Sequence, residues 1–109
     1  MPSYSKHDVI LVTYPVTDLA GTKIRPAIVV NTPHVSMDLF VVPLTSRVTS
    51  LLAGEFLLKD WFGAGLNVPS GVKRGVATVQ SNLVLKAVGK LQAEDINLLE
   101  KSLRYWLGL

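Results

Sequence analysis

Val9-Ile10-Leu11-Val12-Thr13-Tyr14-Pro15 decides the fold class of this chain. The β-branched and aromatic residues in it lose rotamer freedom in a helical turn but fit a pleated strand, and Pro15 has no N–H to give a central ladder. The stretch reads as a first strand that stops at its proline. Working outward, Ala27-Ile28-Val29-Val30-Asn31 resumes the same character, and Leu39-Phe40-Val41-Val42-Pro43-Leu44 forms a third apolar run that ends on Thr45-Ser46-Arg47. Between the first two runs, Thr17-Asp18-Leu19-Ala20-Gly21-Thr22-Lys23-Ile24-Arg25-Pro26 mixes turn formers with basic residues and reads as an exposed loop. It sets Arg25 at the start of the second strand and leaves Lys23 mobile.

Shorter strands are expected at Glu55-Phe56-Leu57-Leu58-Lys59, Gly75-Val76-Ala77-Thr78-Val79 and Ala87-Val88-Gly89-Lys90-Leu91. Asp60-Trp61-Phe62-Gly63-Ala64-Gly65-Leu66 suggests a tight, anchored loop that Asn67-Val68-Pro69-Ser70-Gly71 continues, and residues 80–86 favour no one state. The period then changes. Ile96, Leu99, Leu103 and Trp106-Leu107 recur at three- and four-residue spacing, which is an amphipathic helix. Glu94 and Asp95 suit the positive end of its dipole, and Glu100 to Arg104 is an i,i+4 pair. Many short strands and one terminal helix imply a mainly β chain, a small curved sheet or barrel closed by that helix, with residues 1–109 as one domain.

With 49% apolar and 17% charged residues the chain has the balance of a folded globule and not of a disordered one. Its apolar runs fall far short of the roughly 20 residues of a membrane span, so no membrane is expected. A start without a secretory signal and an absence of cysteine fit a reducing, cytoplasmic setting. The net charge of +3 is compatible with an anionic partner and equally with simple solubility.

Two histidines, His7 and His34, without a His-x-x-x-His pairing give no metal-ligand set, and no cofactor is expected. Gly21-Thr22-Lys23 lacks the upstream glycine of a phosphate-binding loop, and no G-x-S-x-G elbow surrounds a serine. Two constellations remain. Arg25, held at a strand start, can make two parallel bonds to a phosphate and stabilise charge gained in a transition state; pairing with Asp18 explains it as well. Thr45 and Ser46, at the end of an apolar strand, can bond a phosphate or orient a ribose hydroxyl, or simply cap the strand. Lys73-Arg74 is a basic step that serves phosphate contacts or a solvated turn, and Trp61-Phe62 suits base stacking, core or a dimer contact.

Taken together, Asp8-Val9-Ile10-Leu11-Val12 with Tyr14-Pro15-Val16-Thr17-Asp18, Lys23-Ile24-Arg25-Pro26-Ala27-Ile28-Val29-Val30 and Val42-Pro43-Leu44-Thr45-Ser46 resemble, in order and spacing, the opening motifs of the MazF/PemK toxin family. Asp60-Trp61, Ala64-Gly65-Leu66, Pro69-Ser70 and Val88-Gly89-Lys90-Leu91 resemble its later landmarks, so the likeness covers nearly the whole chain. The resemblance implies an SH3-like curved β-barrel with a terminal helix and a homodimer. It also implies a cognate antitoxin protein and metal-independent, sequence-selective cleavage of single-stranded RNA that leaves 2′,3′-cyclic phosphate and 5′-OH ends.

It further implies that Arg25 and Thr45 are catalytic; beside them Ser46 is expected to assist, and Asp18, Lys23, Arg47, Lys73 and Arg74 are expected to contact RNA. The chain departs from the pattern in two places. Val72-Lys73-Arg74-Gly75 lacks an acid that many relatives carry after Pro-Ser, and His7 stands where relatives often have glycine. The missing acid keeps open a catalytically silent RNA- or antitoxin-binding module; a gyrase-directed toxin on the same barrel is the remaining alternative.

Overall fold

The computed structural model describes residues 4–15, 22–32 and 38–109. Seven strands and one helix follow in order: β1 Asp8–Pro15, β2 Thr22–Val29, β3 Asp38–Thr45, β4 Phe56–Leu57, β5 Gly71–Val72, β6 Ala77–Gln80, β7 Val84–Lys90 and α1 Ala93–Leu107. A 3-10 turn at Ser81–Leu83 leads into β7. The strands form one antiparallel sheet in the order β4-β5-β3-β2-β1-β7, with β6 also paired to β3. The mainly β fold with a terminal helix is as expected, but the sheet does not close into a complete barrel.

β1 to β3 read as unbroken apolar runs because both of their faces are covered. Val9, Ile28, Val42 and Leu44 point one way and pack with Leu58, Leu66, Val72 and Leu91 against Leu99 of α1. Ile10, Val12, Ala27, Val29, Leu39 and Val41 point the other way and form a second cluster with Val79. The register Val9↔Ile28, Ile10↔Ala27, Ile28↔Val42 and Val29↔Val41 holds each set on its own face, since side chains alternate with a period of two.

β2 starts five residues earlier than the sequence suggests. Thr22 pairs with Pro15, Lys23 with Tyr14 and Arg25 with Val12, so Lys23 and Arg25 are ladder residues and not part of a loop. The turn-former composition there was outweighed by pairing with β1. On the other side of β2 the ladder ends early, at Ala27↔Pro43. Val30 donates to the Phe40 carbonyl, so the even-numbered residues of β2 face β3. Pro26 falls next in that series and has no N–H to give Leu44, the residue that the register sets opposite it.

β5 was not anticipated. It is two residues of the expected loop, recruited because Leu44 pairs with Val72 and Thr45 with Gly71. In α1, Leu99 is fully covered and Ile96, Leu103 and Trp106 are partly so, the apolar stripe that the spacing implied. Gly108, at φ 71°, ends the helix by donating its N–H to the Arg104 carbonyl.

Asp95 lies in the first turn of α1 as expected, and it does more than complement the dipole. It is wholly buried, and its two oxygens accept the backbone N–H groups of Lys59 (2.9 Å) and Asp60 (3.0 Å). Glu100 pairs with Lys6 at 3.9 Å, across to the N-terminal segment, instead of with Arg104. The Trp61 ring joins the helix-side core and meets Phe62 edge-on, while Phe62 itself is exposed.

Candidate active site

The two constellations lie on neighbouring strands, Arg25 within β2 and Thr45 at the end of β3 beside β5. Continuing the Ala27↔Pro43 register by two residues sets Arg25 opposite Thr45, and both lie on the sheet face turned away from α1. Because Pro26 cuts the ladder short, no strand-to-strand pairing is assigned between them. Arg25 is exposed and Thr45 half-buried, so the guanidinium and the hydroxyl are open to a guest from solvent.

Thr45 is held on three sides. Its backbone pairs with Gly71, the Pro43 carbonyl two residues earlier accepts the Lys73 N–H at 2.9 Å, and its own Oγ1 accepts the Arg47 N–H at 3.0 Å. One of the hydroxyl's two acceptor positions is used in this way and its proton remains to be donated, which suits Thr45 to an anion. Ser46 and Arg47 follow directly, both exposed.

The basic residues here are unevenly occupied. None of Lys23, Arg25, Arg47 and Arg74 forms an ion pair among the described residues. Lys73 does, with Glu55 at 3.6 Å. Carboxylates elsewhere are committed away from this end: Asp8 binds Lys90, Glu94 binds Lys59, and Asp60 holds the Gly63 N–H. The result is a run of cations along β2 and the β3 and β5 ends, suited to a chain of phosphates. Asp18, expected to face RNA or pair with Arg25, lies outside the described residues, as does His34.

Glu55 is the residue that sequence reasoning missed. Its side chain is 1% exposed, and it accepts the Leu52 N–H (2.8 Å) and the Arg74 N–H (2.8 Å) while facing the Lys73 ammonium. Those bonds, the one from Arg74 first, hold its carboxyl below the usual range, with burial opposing them and the Lys73 charge adding to them. An acid therefore does reach the Lys73-Arg74 step, from a distant part of the chain. It is too fully engaged to shuttle protons. The only sequence signal was its place just ahead of a short strand, which gives no hint of a partner 19 residues on.

Arg74 turns away from Thr45, toward the end of α1, where it lines a groove with Leu52, Ala53, Tyr105 and Trp106. Of the residues expected to touch RNA, Arg47 and the Lys73 backbone are tied to the Thr45 end by hydrogen bonds, Lys23 and Arg25 lie on β2 beyond its ladder with β3, and the Arg74 side chain lines a separate groove. Among the described residues no three His, Cys, Asp or Glu side chains gather as metal ligands would.

Residues 5–107 match the family described as PemK-like, MazF-like toxin of type II toxin-antitoxin system. No protein of curated function matches the sequence. Among solved structures, a MazE-MazF structure from Deinococcus radiodurans (Form-II) superposes with a TM-score of 0.80 at 16% identity, covering 100% of this chain and 99% of that one. The toxin MazF-mt6 of Mycobacterium tuberculosis gives 0.72 at 22% identity, with 94% and 97% covered. An endoribonuclease in complex with its cognate antitoxin, from a mycobacterial species, gives 0.75 at 16% identity, with 98% and 97% covered. At these identities the likeness is one of fold.

Proposed function

The chain belongs to the PemK-like, MazF-like toxins of type II toxin-antitoxin systems, and from that membership we propose that it is an endoribonuclease that cuts single-stranded RNA at short sequence motifs. The reading is supported by the β2–β3 register, whose continuation beyond Ala27↔Pro43 carries Arg25 and Thr45 to one face, and by the absence of an acid paired to the guanidinium among the described residues. Solved relatives include proteins named as endoribonuclease and as MazF, in complex with antitoxin or MazE.

In the proposed reaction the ribose 2′-oxygen attacks its own 3′-phosphorus. The 2′-O–P bond forms, the P–O5′ bond breaks, the 2′-hydroxyl proton passes to water and the 5′-oxygen takes up a proton. The products are a 2′,3′-cyclic phosphate and a 5′-OH. Arg25 stabilises the charge that grows on the nonbridging oxygens, and Thr45 donates its hydroxyl to one of them. Ser46 assists from the next position, while Lys23, Arg47 and Lys73 hold neighbouring phosphates; Asp18 is assigned to the same RNA path. The step draws on no metal or cofactor.

The whole chain, residues 1–109, works as one unit in the cytoplasm, as a homodimer, with a cognate antitoxin that covers the basic end. No helix among the described residues is long and apolar enough to cross a membrane. The test is incubation with a long unstructured RNA in excess EDTA, with every new 5′ end mapped. Discrete 5′-OH ends that weaken at least about 100-fold in Arg25→Ala, the size typical of losing one preorganised electrostatic donor, are the expected result. A folded Arg25→Ala protein that cuts within about threefold of wild type overturns the assignment. Intact RNA with the wild type points to a silent binding module, a reading favoured by the full engagement of Glu55.

A further inference from the structure

The groove that Arg74 enters plays no part in the chemistry above. Leu52, Ala53, Arg74, Tyr105 and Trp106 line about 520 Å³ between the 52–55 turn and the end of α1, and among the described residues no acidic side chain lines it. Tyr105 is 67% exposed and its ring has no aromatic partner among the described residues. Arg74 has no ion pair there. A large exposed ring and a free guanidinium beside one groove lack a structural reason.

The walls are fixed in advance. Trp106 donates its indole N–H to the Ala53 carbonyl at 3.0 Å, and Ser102 donates to the Gly54 carbonyl at 2.6 Å. Gly54, at φ 83°, lies so close to the indole that a Cβ there would overlap its nitrogen, so turn and ring touch directly. Glu55 fixes the Arg74 backbone from the other side. A groove with its walls already set costs a guest little ordering free energy.

We infer that this groove is a nucleotide subsite for single-stranded RNA, in which a base stacks on Tyr105 and its phosphate is held by Arg74. The inference rests on the reading of the Arg25 and Thr45 end as an RNA-cleaving site. Every base has a π-face, so stacking on an exposed ring demands no particular sequence, and a guanidinium fits a phosphate in two parallel bonds. The indole N–H of Trp106 is already spent on Ala53, leaving its ring as an apolar side wall. Continuity supports the same guest. Gly71 pairs with Thr45, and Arg74 comes three residues later, which puts its backbone within about 10 Å of Gly71, so the groove is within reach of an RNA strand held at Thr45. A cationic groove with no acid among its described lining residues favours an anionic guest.

The test uses a fluorescently labelled, mixed-sequence single-stranded DNA, which offers bases and phosphates but lacks the attacking 2′-OH. Tyr105→Ala should raise its Kd about tenfold, while Tyr105→Phe, which keeps the ring, stays within about twofold of wild type. Arg74→Ala should lower the salt dependence of binding by about one phosphate contact, and Arg74→Lys should retain it. In RNA cleavage, Tyr105→Ala should raise KM and leave kcat in place. A folded Tyr105→Ala protein, checked by circular dichroism, that binds the DNA as wild type does overturns the inference. Unchanged binding together with a shift from dimer to monomer in size-exclusion chromatography also overturns it and assigns the groove to a second copy of the chain. Because binding is measured without cleavage, failure of the Arg25 assignment shows up separately, as cleavage that survives Arg25→Ala.

Discussion

The carboxylate of Glu55 accepts the backbone N–H of Arg74 at 2.8 Å, joining the start of β4 to the end of β5. The same residue sits beside a turn that α1 holds through Ser102 and Trp106. A continuous set of hydrogen bonds therefore runs from the helix, through the 52–55 turn and Glu55, to the Lys73-Arg74 step and the strand that pairs with Thr45. The helix is remote from the proposed chemistry, yet it sets where two of the cations stand.

Glu55→Ala removes the acceptor for two N–H groups and the partner of Lys73. Leu52 and Arg74 are exposed enough for water to re-satisfy their N–H groups, so the expected loss of stability is about 1–3 kcal/mol, toward the lower end. The effect on function should fall on RNA affinity: KM up severalfold with kcat within about twofold, since in the proposed reading the released groups hold phosphates and stand away from the reacting atoms. Steady-state cleavage of a single defined RNA, beside urea unfolding, measures both; a collapse of kcat with unchanged KM contradicts the positioning role.

The sequence made the strands of the core legible because Val9 to Tyr14 and Leu39 to Leu44 carry their signal locally, in β-branched residues and a closing proline. The helix was legible for the same reason, through Leu99, Leu103 and Trp106. Lys23 was misread as mobile loop, and Arg25 as the start of a strand that in fact begins at Thr22, because the residues around them favour turns and only pairing with β1 makes them strand. β5 has no local signal; two residues become a strand by lying beside Thr45. Arg25 and Thr45 were picked out by motif, but that they share a face depends on a register between strands. Glu55 and Asp95 act across 19 and about 35 residues, distances over which a sequence pattern carries no geometry.

Asp95→Ala should be among the most damaging single changes outside the site. It leaves the Lys59 and Asp60 N–H groups facing a covered space with no acceptor, and each orphaned donor costs about 1–3 kcal/mol. Allowing for partial relaxation, a net loss of about 2–4 kcal/mol is expected in urea unfolding. Asp95→Asn keeps one acceptor oxygen and should recover part of the loss. A destabilisation below about 0.5 kcal/mol for the alanine variant contradicts the account, because that is the range of ordinary surface changes.

His7 has φ 78°, the left-handed conformation that a β-carbon disfavours, and it is where the family pattern often has glycine. The turn is enforced from both sides: the His7 N–H donates to the Val29 carbonyl at 2.7 Å, and its carbonyl accepts the Leu91 N–H at 2.9 Å. His7→Gly relieves that strain, offset by the greater freedom of glycine in the unfolded chain and by lost contact with Leu103 and Glu100 in the groove they line together. The expected outcome is a stability between unchanged and about 1 kcal/mol higher, read as a Tm rise of up to several degrees. A Tm drop of more than a few degrees means the imidazole, not the backbone, is what the position requires.

Stability should fall with acid in two pH windows. Burial, helped by the positive charge of Lys6, pushes the His7 imidazole below its ordinary 6.5, so the folded state resists a proton that the unfolded state accepts. Glu55, bound by the N–H groups of Arg74 and Leu52, is likewise held below its ordinary 4.5. For both groups the unfolded chain binds more protons, so stability rises with pH across each window. The His7 contribution is complete above 6.5 and is lost as pH falls from there through its lowered value; the Glu55 contribution is complete above 4.5 and is lost below it in the same way. Urea midpoints measured against pH should therefore be level above neutrality and fall first below about pH 6.5 and again below about pH 4.5. His7→Gly should abolish the first fall and keep the second, and Glu55→Ala should weaken the second and keep the first. A first fall that survives in His7→Gly assigns it to another group.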